Sequence, residues 1–203
     1  LPENKMAEAT PFEMMQQAVD IVNNSEHPQN KIAALLSGTG HDGAPYSLAY
    51  TNFWPEIIRR NIGTEQRIGN ASGTIHAETA CILNAPRSQG TELYITDPFC
   101  PNCAKNLAEA GIRKIYIDHK GFEKDFLTRR REHFVTMSLP VCEKSGIAVF
   151  RIWRKDHRIE TMLEASGKKP KETNPVKKHK VIASFADFVS KQMEAIGDRP
   201  FAA

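Results

Sequence analysis

The chain has 203 residues, 40% apolar and 25% charged, the balance of a water-soluble globular protein of about one domain. No run of about 18 apolar residues is present, which excludes a helical membrane span, and the N-terminus lacks the basic-then-apolar order of a secretory signal. The formal net charge of +3 sits in the tail: residues 1–154 hold 17 basic and 17 acidic side chains and residues 155–203 hold 10 and 7, so the neutral main part argues against nucleic acid as the principal partner.

Residues 11–23 carry amphipathic spacing, with Thr10 as a candidate N-cap and Pro11 at the first helical position. The apolar run 31–37 and residues 46–51, joined by the turn-rich stretch 37–45, read as an antiparallel hairpin. Residues 52–74 form a long stretch punctuated by Trp54-Pro55, Gly63, Gly69, Ser72 and Gly73. In a compact domain that length signals function or an embedded short helix. A buried helix over 75–85 stops at Pro86, a strand follows at 91–96, and a helix over 101–111 stops at Gly111. A strand at 113–118, a charged insertion with a helix closed by Gly146, and a strand at 147–153 complete the pattern. Alternation of strand and helix in the second half predicts parallel pairing, and with it an α/β fold: a three-layer α/β/α sandwich around a five-stranded mixed sheet.

After Trp153 the composition shifts. Residues 165–180 hold six Lys and two Pro, and residues 155–180 are assigned to a Lys-rich flexible linker. Helical spacing returns beyond it, where Val181, Phe185, Phe188, Val189, Met193 and Ile196 share one face. The expected organisation is a main domain over 1–154, the linker, and a C-terminal amphipathic helix within 181–203.

Four cysteines are too few for a disulfide scaffold, and a cytoplasmic location is expected. Cys81 and Cys142 read as buried apolar side chains. Cys100 and Cys103 open one predicted helix as C-x-x-C, and His76 and Glu78 open the preceding one as H-x-E. A lone C-x-x-C is half of a structural zinc site or a redox pair, and a lone H-x-E occurs by chance. Together they are specific, because both helix N-termini point to the carboxyl ends of the strands, where open α/β sheets place their ligands. The i, i+3 spacing puts both thiols on one face of the first turn, and a helix N-terminus favours the thiolate that binds metal. Two thiolates and one imidazole make a three-ligand zinc site with a fourth position open, the pattern of catalytic zinc. Glu78 can reach that fourth position without being a ligand.

With H-x-E followed by C-x-x-C, residues 11–153 resemble the cytidine/deoxycytidylate deaminase superfamily. The resemblance implies the cytidine deaminase-like sheet and one zinc per chain held by His76, Cys100 and Cys103. It also implies that Glu78 shuttles protons between water, the ring nitrogen and the departing ammonia. Asn52 matches the position of a family asparagine that contacts substrate. The family places proline directly before the first cysteine, whereas here Phe99 stands between Pro98 and Cys100, so the turn is expected to be reshaped around a retained metal site. The long segment between the last two expected strands implies that they run parallel, as in deoxycytidylate, RNA-editing and tRNA deaminases.

The expected function is therefore zinc-dependent hydrolytic deamination of a small aminated base, cytosine in a nucleoside or in a nucleotide such as deoxycytidylate. Alternatives are another aminated heterocycle, purine or modified pyrimidine, or a nucleic-acid-editing or -binding role. Beside Asn52, the candidate substrate contacts are Ala77, Phe99, Trp54, Asp118, His119 and Lys120. Arg59, Arg60 and Arg67 are candidates for a phosphate, while Arg129–Arg131 with His133 read as a solvated face. The expected partners are the small-molecule substrate and a second copy of the chain in a homo-oligomer, a dimer, with no membrane contact.

Overall fold

A computed structural model describes residues 9–65, 67–68, 71–86, 91–124 and 131–165. The expected C-terminal helix, residues 166–180 of the expected linker, and Arg129 and Arg130 lie outside these.

Helix α1 (Pro11–Asp20) starts as the sequence predicts, on a capping box: Thr10 Oγ1 accepts from the Glu13 amide at 3.3 Å, and the Glu13 carboxylate accepts from the Thr10 amide at 2.7 Å. Strands β1 (Ala33–Thr39) and β2 (Pro45–Thr51) form the expected antiparallel hairpin. The long stretch after β2 carries a short helix α2 (Glu56–Asn61) and a small ladder of β3 (Arg67–Ile68) with β4 (Ala71–Ser72). Helix α3 (Ala77–Asn84), strand β5 (Glu92–Ile95), helix α4 (Pro101–Glu109) and strand β6 (Lys114–Asp118) then alternate. A tight turn over His119–Phe122 leaves β6, and a wide turn over Phe134–Ser138 enters helix α5 (Leu139–Ser145), which Gly146 ends in the left-handed region at φ 71°. Strand β7 (Ala148–Trp153) follows.

Side chains alternate across the sheet with period two, and this separates the layers. Ala34, Leu36, Leu93, Ile95, Ile115, Ile117 and Val149 pack with residues of α3, α4 and α5 on one face. Leu35, Tyr94, Tyr116 and Ile152 pack with Met15 and Ala18 of α1 on the other. Tyr94, Tyr116 and Phe150 stack along one register row beneath α1, with ring centroids 4.8 and 4.9 Å apart. The fold is the three-layer α/β/α arrangement expected, and β6 and β7 are parallel, as the long segment between them implied.

Two expectations are corrected. The sheet has six strands, ordered β2-β1-β5-β6-β7-β8, not five, because β8 (Arg158–Leu163) pairs antiparallel with β7. The residues from 155 to 163 are thus a turn and a strand of the main domain and not the start of a linker. The turn is closed by His157 at φ 47°, a conformation that non-glycine residues rarely adopt and that carries no sequence signature here. The first four residues of β8 are exposed and include Arg158 and Glu160, the charged dress of an edge strand, which reads in sequence as solvent-facing loop.

The turn after β6 is pressed against the end of β5. A Cβ at Gly121 would lie 2.2 Å from the Thr96 carbonyl oxygen and 2.8 Å from Asp97 Cα, both backbone atoms with little room to yield. Gly121→Ala is expected to destabilise the protein by about 1–3 kcal/mol, the usual cost of overpacking. Denaturant unfolding monitored by circular dichroism measures it, and a midpoint unchanged from wild type would show that this contact does not constrain the fold.

Candidate metal and acid–base site

Two of the cluster's residues cap their helices. His76 is the N-cap of α3 and Cys100 the N-cap of α4, both with extended backbone (φ −72°, ψ 150° and φ −80°, ψ 163°). An N-cap side chain projects beyond the helix end, so ligand atoms from two helices meet in the space past both termini. His76 Nδ1 lies 3.7 Å from Cys100 Sγ and 3.3 Å from Cys103 Sγ, and the three ligand atoms lie within 4.8 Å of one another. Tetrahedral zinc with its usual bond lengths to sulfur and nitrogen separates two such ligands by about 3.6 Å. The spacing and the chemistry of this donor set fit zinc.

Cys100 is held well below the ordinary thiol range, first by the hydrogen bond from Cys103, while Cys103 is pushed up, first by the same bond and then by burial. The Cys103 amide lies 3.5 Å from Cys100 Sγ, the donation that a helix start makes to its cap. The Thr79 hydroxyl lies 3.6 Å from Cys103 Sγ. Glu78 is 2% exposed, and its Oε2 has no hydrogen-bond partner among the described residues. Burial pushes this carboxyl above its usual range, offset in part by the charge of His76.

Asn52 is brought here by a backbone bridge. Phe53 and Ile75 exchange hydrogen bonds at 3.2 and 2.9 Å in antiparallel register, which sets Asn52 opposite His76. Its side chain is already engaged: Oδ1 accepts from Ser25 Oγ at 2.7 Å and from the Ile32 amide at 3.0 Å, and Nδ2 donates to the Asn30 carbonyl at 2.9 Å.

The candidate aromatic contacts are occupied in packing. Trp54 is buried, stacks on His27 at 5.6 Å and donates from Nε1 to the Glu65 carbonyl at 2.8 Å. Phe99 points into the core, edge-on to Phe134 at 5.3 Å, and Ser138 Oγ donates to its carbonyl at 2.9 Å. Ala77 is also a core residue.

The residues after β6 are held by β7. Asp118 is buried and receives Arg154 Nε at 2.7 Å. His119 stacks on Trp153 at 5.0 Å, and its Nδ1 lies 3.0 Å from Arg151 Nη2. Lys120 is exposed. Arg59 pairs with Glu26, and Arg60 with Glu56 at 3.0 Å. The backbone of Arg67 lies in β3, and its side chain is outside the described residues. Cys81 and Cys142 are buried, with burial pushing each thiol up to about 12, as expected of inert apolar side chains.

Sequence reading missed several partners. Ser25 and Asn30 sit in an unpatterned polar loop, and Arg151 and Arg154 reach His119 and Asp118 only through the pairing of β6 with β7. Asp97, fully buried at the end of β5, pairs with Lys124 at 2.6 Å and braces the turn that leads to Cys100. Nothing local in sequence marks that pair.

An α/β/α sandwich with an H-x-E and a C-x-x-C helix start converging at one sheet edge defines a zinc-deaminase type of site. Residues 10–119, more than half of the chain, match the cytidine and deoxycytidylate deaminase zinc-binding region, and the chain belongs to this family. It is 29% identical over 126 residues, 62% of this chain and 81% of the relative, to an uncharacterized deaminase in the luxG 3' region of Aliivibrio fischeri. Among solved structures it is similar to the dCMP deaminase of cyanophage S-TIM5, at 20% identity and a TM-score of 0.46 over 68% of this chain and 93% of that one. It is also similar to a cytidine deaminase from Mycobacterium leprae, at 16% identity and a TM-score of 0.34 over 76% of this chain and 95% of that one. No helix among the described residues is long and apolar enough to cross a membrane.

Purified protein is expected to carry about one zinc per chain, and Cys100→Ser with Cys103→Ser to carry almost none, measured by elemental analysis against protein concentration. Stoichiometric zinc in the double variant would place the metal elsewhere.

Proposed function

We propose that this protein is a zinc-dependent hydrolytic deaminase of cytosine carried in a nucleoside or nucleotide, deoxycytidylate being the representative substrate, with ammonia released. The observation that carries the reading is the buried Glu78 carboxylate with an unpartnered Oε2, set beside three side chains whose spacing suits zinc. A buried carboxylate with an unpartnered oxygen is costly in a purely structural role. It is useful where a proton must be taken and returned.

His76, Cys100 and Cys103 would hold the metal. When bound, zinc supplies a Lewis acid that brings the acidity of water near neutral pH. Glu78 accepts a proton from the attacking water at Oε2 and delivers it to the ring nitrogen next to the amino-bearing carbon, then moves the water's second proton from the new hydroxyl to the amine, so that the C–N bond breaks, ammonia leaves and a carbonyl remains. Its raised proton affinity suits it to carry that proton between donor and acceptor. The helix starts of α3 and α4 face the same space, which favours the developing negative charge. Asn52, opposite His76, stands at the wall of that space through its engaged amide. For a nucleotide, Lys120 is the better cation for the phosphate, because Arg59 and Arg60 already have carboxylate partners.

The test is ammonia release from a panel of cytosine, deoxycytidine, deoxycytidylate, aminated purines and single-stranded DNA and RNA. Cytosine nucleosides or nucleotides are expected to turn over, and Glu78→Gln is expected to lose about 10²-fold or more while keeping its zinc. Turnover of purines alone or of polynucleotide alone would replace this reading. A Glu78→Gln variant near the wild-type rate would remove the proton-shuttle role.

A further inference from the structure

The two ligand thiols obtain their hydrogen bonds from different kinds of donor. Cys100 Sγ is served by the Cys103 amide at 3.5 Å, a backbone group that any residue at position 103 would supply. Cys103 Sγ is buried one turn further into the helix, and its neighbours are His76 Nδ1 at 3.3 Å and the Thr79 hydroxyl at 3.6 Å. His76 Nδ1 belongs to the donor set that suits the metal, which leaves the hydroxyl as the support for this sulfur. With a metal bound, Cys103 would be a thiolate, which can only accept, so the hydroxyl would then donate.

The placement follows from local geometry. Thr79 stands three residues after His76 on α3, so the same helix face that delivers the imidazole delivers the hydroxyl. It therefore bridges α3 to the metal-binding start of α4. Partners of metal ligands fix ligand orientation and charge, and their loss typically weakens metal binding by about 10- to 100-fold.

We propose that Thr79 is a positioning residue of the metal centre, its hydroxyl donating to the Cys103 thiolate so that this sulfur is held toward His76 and its charge is stabilised. The inference rests on the zinc reading of the site and adds a side chain that neither H-x-E nor C-x-x-C contains. It also separates the two sulfurs: substitution at 79 acts on one thiolate and leaves the backbone donor of the other in place.

The experiment measures zinc affinity of the full chain by competition with a chromophoric chelator, for wild type, Thr79→Val and Thr79→Ser. Valine keeps the shape and removes the donor, and serine keeps the donor. Thr79→Val is expected to bind zinc about tenfold or more weakly, with Thr79→Ser within about twofold of wild type. In the cobalt-substituted proteins, the thiolate-to-metal charge-transfer band is expected to shift in Thr79→Val and not in Thr79→Ser, a signature that loss of packing alone would not produce. Wild-type affinity and an unshifted band in Thr79→Val would overturn the proposal, as would a loss in Thr79→Ser equal to that in Thr79→Val. If wild type itself bound no zinc, the deaminase reading would fall as well. An indifferent Thr79→Val in a zinc-binding wild type overturns only the role of Thr79.

Discussion

The rest of the structure is organised by the meeting of two helix starts at one edge of a sheet. His76 and Cys100 occupy cap positions, where the backbone is extended and the side chain projects past the helix end. The free amides of each first turn create a positive field that favours thiolate over thiol, and the Cys103 amide makes that field specific at Cys100. For the two ends to coincide, β1 and β5 must be neighbours, with α3 and α4 on the same face. The antiparallel β1–β5 pair and the shared core of Ala34, Leu36, Leu93 and Ile95 meet that condition. The remaining contacts around the edge act as bracing: the Phe53–Ile75 bridge, the close approach of Gly121 to the end of β5 and the pairing of buried Asp97 with half-buried Lys124.

Against this bracing stands one unfavourable group. Glu78 is taken out of water with Oε2 lacking a hydrogen-bond partner among the described residues, and the charge of His76 offsets only part of that cost. Helix formation cannot account for it, since an acidic residue in a first turn is equally favourable when exposed. Its burial raises its proton affinity, the property that an acid–base group near neutral pH requires. Around it the large aromatic groups are committed to packing, Trp54 against His27 and Phe99 against Phe134. Phe99 beside Cys100 anchors the turn before α4 in the core.

The grouping of His76, Cys100 and Cys103 was legible because much of its geometry is local: spacing within one helical turn, and a strand feeding the cysteine helix, go far to place it. The Thr10 cap and the Pro11 start of α1 were legible for the same reason, whereas the reciprocal bond from Glu13 was not read. Trp54 and Phe99 were not, since an aromatic ring after a strand end can turn toward a cavity or the core, and only its neighbours decide. Arg60 carries a local clue in Glu56 four residues before it, whereas the partner of Arg59 is Glu26, thirty-three residues away. The edge strand β8 escaped because an exposed, charged strand lacks the alternation that burial imposes, and its turn depends on His157 in a rare conformation.

By itself the sequence determined the layer architecture, the parallel pairing of the last two predicted strands, and the grouping of His76, Cys100 and Cys103. Each of these follows from hydrophobic periodicity or from spacing within a single element, which are properties of contiguous residues. Tertiary structure alone decided that the sheet has a sixth strand, that Glu78 is wholly buried, and that Asn52 stands opposite His76 with its amide already engaged. It alone decided that Arg151 and Arg154 hold the residues after β6, and that Thr79 meets Cys103. These are contacts between residues far apart in the chain or on separate elements. They depend on strand order, register and helix packing, and no local pattern encodes them.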